Sequence, residues 1–160
     1  MQQYIYDDRL VSAYHEAGHI VLGWYCDLPI SRAVVEDNCA SVHLSWSYTW
    51  TSMFREVNQS TVRRNIMFCL GGRFASTLFG LDDAEEVWHS DVYIPKFLAQ
   101  RFSLDLEQVA AETRSVVLLN KPSIKMLAQA LYEKHTLDGY DLALARLNLL
   151  ARGELRLFRN

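Results

Sequence analysis

The chain has 160 residues, which fits one compact domain, and a chain of this size buries roughly 70% of its unfolded surface without disulfide staples. Lys and Arg number 16 against 19 Asp and Glu, a net charge of −3 that argues against a general nucleic-acid binder, whose footprint is a basic excess. The phosphate loop GxxxxGK followed by Ser or Thr is absent, which excludes a self-contained P-loop ATPase.

In chain order, Asp7 or Asp8 can cap a first helix from about Arg9 to Tyr25, ended by Leu28-Pro29. Ile30 to Glu36 reads as a short strand, followed by a turn at Asp37-Asn38. Val42, Leu44, Trp46, Tyr48 and Trp50 alternate with His43, Ser45, Ser47 and Thr49, so a second strand has one apolar, aromatic face and one hydroxylated face. From Ser60 the pattern turns helical, with a helix from Thr61 to Phe79 closed by Gly80. An acidic loop over Leu81 to Glu86 precedes a helix opened by Ser90 or Asp91 and running to about Phe102. Its Pro95 is tolerable only near the first turn. Further helices are expected over Leu106 to Leu119, Pro122 to His135 and Gly139 to Gly153. The predicted fold is a single domain over residues 1–160, mainly α (α+β), a helical domain with a small β-sheet.

The first helix carries His15-Glu16-Ala17-Gly18-His19, an HExxH motif. Histidines four residues apart are separated by about 400° around the helix, so they share a face one turn apart and can hold one tetrahedral metal. Glu16 lies about 60° around the helix from His19 and can reach a water on the open side of the metal without being a ligand. Zinc acidifies water toward neutral pKa, and a carboxylate beside it can take the proton and pass it to a leaving amine. Gly18 inside a helix costs about 1 kcal/mol relative to alanine, which implies that another element packs closely there.

A catalytic zinc site needs a third protein ligand. Asp91, His89 and the acidic run Asp82, Asp83, Glu85 and Glu86 are candidates, and spacing leaves the choice open with Asp91 slightly ahead, because a helix N-terminus holds it in a defined direction. Cys26 shares the histidine face but lies about 10.5 Å along the axis from His19, too far to join the metal. His43 and His135 read as ordinary surface or capping residues. The apolar strand face, with Leu44, Trp46 and Tyr48, is read as a substrate strand that could hold an extended peptide by main-chain hydrogen bonds. Cys26, Cys39 and Cys69, odd in number and without a CxxC pair, read as reduced, mostly buried thiols of an intracellular protein. No signal peptide and no apolar run long enough to span a membrane are seen, so a cytoplasmic location is expected.

Ala13-Tyr14-His15-Glu16-Ala17-Gly18-His19 resembles the zinc-binding helix of the FtsH-type metallopeptidases, the proteolytic domain of ATP-dependent membrane proteases. Leu70-Gly71-Gly72-Arg73-Phe74-Ala75 is similar to that family's Leu-Gly-Gly-Arg-x-Ala helix, and Phe79-Gly80 to its closing Phe-Gly. Ser90-Asp91-Val92 resembles its Asn/Ser-Asp-Leu segment, whose aspartate is the third zinc ligand, and the resemblance therefore implies Asp91 over His89. The stretch Leu131-Tyr132-Glu133-Lys134-His135-Thr136-Leu137-Asp138-Gly139 is similar to Leu-x-Glu-Lys-Glu-Thr-Leu-x-Gly. Together these cover roughly residues 10 to 145. The chain departs from the family in carrying no AAA+ module or membrane helices, and in having Ser76-Thr77 where two glutamates often follow Gly-Gly-Arg-x-Ala. Its strand region from Val35 to Thr51 also lacks the family's proline- and glycine-rich wording.

The expectation is a zinc metalloendopeptidase holding Zn²⁺ through His15, His19 and Asp91, with Glu16 as general base. It would cleave a peptide or unfolded protein, alone, with a separate AAA+ ATPase or through self-association. The alternative is a catalytically silent zinc-binding interaction or regulatory module.

Overall fold

The computed structural model describes residues 8–37, 39–45, 58–81 and 89–157. Its elements in order are α1 (Asp8–Tyr25), β1 (Ile30–Glu36), β2 (Cys39–Leu44), α2 (Gln59–Leu78), α3 (His89–Phe102), α4 (Leu106–Leu119), α5 (Lys121–Lys134), β3 (Thr136–Leu137) and α6 (Gly139–Ala151). The expected fold class is what is found, a mainly helical α+β arrangement with one small antiparallel sheet.

Helix α1 is the centre of the core. From Ala13 to Trp24 every residue but Tyr14 is buried, so the helix is enclosed on nearly every side, and its polar residues are enclosed with it. It packs against α2, α5 and the sheet. The contact with α2 is the tightest: a Cβ added to Gly18 would lie 2.3 Å from the Gly71 carbonyl oxygen and 2.6 Å from the Ala75 Cβ. Only a residue without a side chain lets the two backbones approach this closely, and that is the close neighbour the helical glycine predicted.

The strand order is β2-β1-β3, all antiparallel. Ala33, Val34 and Val35 are buried in succession, so both faces of β1 are covered there, by α1 and by α5 and α6. Strand β2 lies at the edge of the sheet among the described residues, its register running from Ile30↔Leu44 to Glu36↔Cys39 with an irregularity between Ile30 and Arg32. Strand β3 has no counterpart in the sequence reading, because two residues are too short to show a period. It forms where His135 takes a left-handed conformation (φ 64°) at the end of α5, turning Thr136 and Leu137 alongside Val34 and Ala33.

Side-chain caps explain several boundaries: Asn58 accepts from the Thr61 N–H at 2.9 Å, Asp105 from Gln108 at 3.1 Å, and Asp138 from Tyr140 and Asp141 at 2.9 and 3.0 Å. Gly80 closes α2 at φ 69°. Pro95 departs from expectation, since α3 starts at His89 and the proline sits two turns in, leaving the Asp91 carbonyl without its usual i+4 donor. Buried Asn120 joins α4 to α5 and also holds the C-terminal segment: its Oδ1 accepts from the Arg156 N–H at 2.7 Å and its Nδ2 donates to the Arg156 carbonyl at 3.2 Å.

Gly18→Ala should destabilise the fold by about 1–3 kcal/mol through overpacking. Gly139→Ala, whose Cβ would meet only the Ser31 carbonyl at 3.5 Å, should change stability little; paired thermal melts check both. Cys26 and Cys69 are buried and Cys39 is exposed, and burial pushes both buried thiols up to about 12. A thiol reagent at pH 8 should therefore label Cys39 alone in the native protein and all three cysteines after denaturation.

Candidate metal centre

One turn of α1 separates His15 from His19, and their Nε2 atoms converge to 3.0 Å. Helix α3 brings Asp91 to the same point, its Oδ2 lying 2.8 Å from His15 Nε2 and 3.1 Å from His19 Nε2. On the other side of its ring, His19 Nδ1 donates to the Phe68 carbonyl at 2.8 Å. A carbonyl can only accept, so the proton belongs on Nδ1 and Nε2 presents a lone pair, the orientation seen when a histidine ligates metal.

Enclosure sharpens the chemistry. His15 is 0% exposed, Glu16 2% and His19 6%, and the Asp91 side chain retains 12%. Burial by itself would push the Asp91 carboxyl up, but hydrogen bonding and electrostatic attraction to His15 and His19 outweigh it, holding the carboxyl well below its ordinary value. Two imidazole nitrogens and a carboxylate oxygen this close repel one another unless a cation, either a proton or a metal ion, stands among them.

Helix α2 forms the floor of the site. A Cβ on Gly72 would lie 2.4 Å from His15 Nε2 and 2.6 Å from His19 Nε2, so the bare glycine leaves open the space onto which both nitrogens face. This cradle, with two imidazoles and a carboxylate, fits a zinc ion with a position left over. Ser76 is fully buried one turn further along and turns its hydroxyl back to the Gly72 carbonyl at 3.2 Å, so this departure from the acidic pattern leaves no carboxylate in the floor.

Among the described residues, His15, His19 and Asp91 are the one group of three or more potential ligands whose atoms come together. Glu16 is enclosed next to them in the chain. Cys26 is buried at the far end of α1, as its spacing implied. Leu44 closes edge strand β2, partly buried opposite Ile30, whereas Trp46 and Tyr48 lie outside the described residues. Asp82, Asp83, Glu85, Glu86 and the His89 side chain lie outside them too. His43 is an exposed strand residue paired with the Ser41 hydroxyl at 2.9 Å, and His135 ends α5. Two contributors escaped the residue-by-residue reading. The Phe68 carbonyl carries no sequence signal, but Gly71-Gly72, two glycines inside a helix, could have been read as a second close approach.

No protein-family model matches the chain, and no curated protein matches it in sequence.

Gly72→Ala should weaken zinc binding about 10–100-fold, because the new methyl presses on both imidazoles. Competition against a chromophoric chelator measures this, and circular dichroism checks that the helices persist.

Proposed function

We propose that the chain is a zinc-dependent metallopeptidase-like domain that hydrolyses peptide bonds. The observation that carries this reading is the convergence of His15 Nε2, His19 Nε2 and Asp91 Oδ2 from two helices, beside an enclosed Glu16 on the same turn as His15. Three protein ligands of N, N and O type are the donor set of catalytic rather than structural zinc. When bound, the ion would supply Lewis acidity and make water a competent nucleophile near neutral pH.

The chain's own residues do the rest. His15 and His19 hold their lone pairs inward, the latter fixed through Phe68, and Asp91 brings a negative charge beside them. Glu16 acts as general base. It takes a proton from the attacking water and delivers it to the amine nitrogen as the C–N bond breaks. Burial favours this role, since a carboxylate away from bulk water keeps its proton transfers within the site. Strand β2, ending at Leu44, has one side without a partner strand among the described residues, and an extended peptide added there would be held by main-chain hydrogen bonds. The four ordered motifs shared with the FtsH-type peptidases support the same reading.

The substrate on this reading is a peptide or an unfolded protein, handled alone, with a separate AAA+ ATPase or in a self-assembly. No helix among the described residues is long and apolar enough to cross a membrane, and three free cysteines suit a reducing, cytoplasmic setting.

Glu16→Gln should keep about one zinc per chain and lose hydrolysis of an unfolded protein by about 10²–10⁴-fold. Zinc in both proteins with no cleavage by the wild type would point instead to a silent zinc-binding regulatory module. Absence of zinc from both, after metal-replete purification, would overturn the site.

A further inference from the structure

A second cavity, of about 400 Å³, opens where the C-terminal end of α1 meets the first turns of α2, with α4 and α6 contributing from the sides. Its character differs from that of the metal centre. Arginines supply most of its charge: Arg63 and Arg64 from α2 and Arg146 from α6, against Glu112 from α4 and Asp27 after α1. Arg63 is neutralised by its ion pair with Glu112. Arg146 Nε is buried and has no hydrogen-bond acceptor among the described residues. Arg64 is exposed and makes no ion pair among the described residues, but it stands near enough to Cys26 for its charge to favour the thiolate there.

The rest of the lining suits an anion. Burial outweighs Arg64 and pushes the Cys26 thiol up to about 12, so it stays neutral and repels nothing. Ser60 lies in the first turn of α2, where a helix presents unpaired N–H groups and the positive end of its dipole. The opposing C-terminal end of α1 is muted, because the Leu22, Gly23 and Trp24 carbonyls are taken by the N–H groups of Cys26, Leu28 and Asp27. Asp27 is exposed and subtracts one charge. Trp24 and Met67 add an apolar wall against which the organic part of a ligand can lie.

We infer that this cavity binds the phosphate group of a small phosphorylated molecule, with Arg146 and Arg64 as its two charged donors and Ser60 beside them. A dianionic oxyanion matches two lining guanidiniums that make no ion pair among the described residues. The site is separate from the metal centre, since Cys26 lies almost two turns of α1 beyond His19, and it stands whether or not the peptidase reading holds.

Calorimetric titration with inorganic phosphate at low ionic strength tests the inference, on protein stripped of metal and on protein reloaded with one equivalent of zinc. Equal binding to both forms is expected, with Arg146→Gln and Arg64→Gln each weakening it about tenfold or more, and Arg32→Gln, an exposed residue of β1, leaving it unchanged. Arg64 is exposed, so its variant should fold even if loss of Arg146 disturbs the packing of α6. No binding at millimolar phosphate, or full binding by the Arg64 variant, would overturn the site. Binding that vanishes with the metal would move phosphate to the zinc centre and overturn it as well. A parallel titration with succinate should show weaker binding than phosphate; equal or tighter binding would overturn the choice of phosphate over a carboxylate.

Discussion

Where α1 crosses α2, the Gly71 carbonyl occupies the space in which a side chain on Gly18 would begin. That close approach sets the distance between the two helices that carry the histidine pair and the floor beneath it. With a larger residue at either position α2 would stand off, and neither the Phe68 carbonyl nor the Gly72 cradle would meet the histidines. The helical glycines weaken local helix formation by about 1 kcal/mol each. The contact they permit joins the two longest described helices over the core.

The same contact permits an unusual degree of polar burial. His15, Glu16 and His19 lie in the middle of the most buried helix, flanked by Ala13, Ala17, Ile20 and Val21. Enclosing groups of this kind is unfavourable unless each has a partner. His19 is satisfied at one nitrogen by Phe68, and at the other it shares with His15 and Asp91 a point that calls for a cation. Asp91 reaches that point from α3, a helix whose Pro95 removes the backbone donor normally directed at the Asp91 carbonyl. A metal ion would satisfy three of these groups at once, and an arrangement held ready in advance loses little entropy on binding it.

Polar residues elsewhere in the interior do structural work of a different kind. Asn120 satisfies both main-chain groups of Arg156, and the Ser123 hydroxyl donates to the Glu154 carbonyl at 2.8 Å, so the segment after α6 is tied back across the start of α5. That tie holds Leu155 in the core and Leu157 at the edge of the arginine-lined cavity. The cavity and the candidate metal centre therefore share α1 and α2 but draw their remaining walls from different parts of the chain.

Much of this was legible locally. The spans of β1 and α4 follow from apolar patterning and flanking turn or capping residues, and the histidine pair on α1 follows from helical geometry alone, because all of these depend on neighbours a few residues away. Strand β3 and the helical position of Pro95 were not, since the first exists only through pairing with β1 and the second is tolerated through surrounding packing. Residue types and spacing left Asp91 and His89 as rivals. The approach of Asp91 to His15, 76 residues away, is fixed by how α3 lies on α2, and no local period encodes that. The arginine cavity is a stronger case, assembled from four helices and the chain's last described residue, with no motif in any one of them. The sequence by itself determined which side chains could share a helix face, because that is a property of one helix. Only the tertiary structure decided which faces meet, because helix crossing depends on the packing of the whole core.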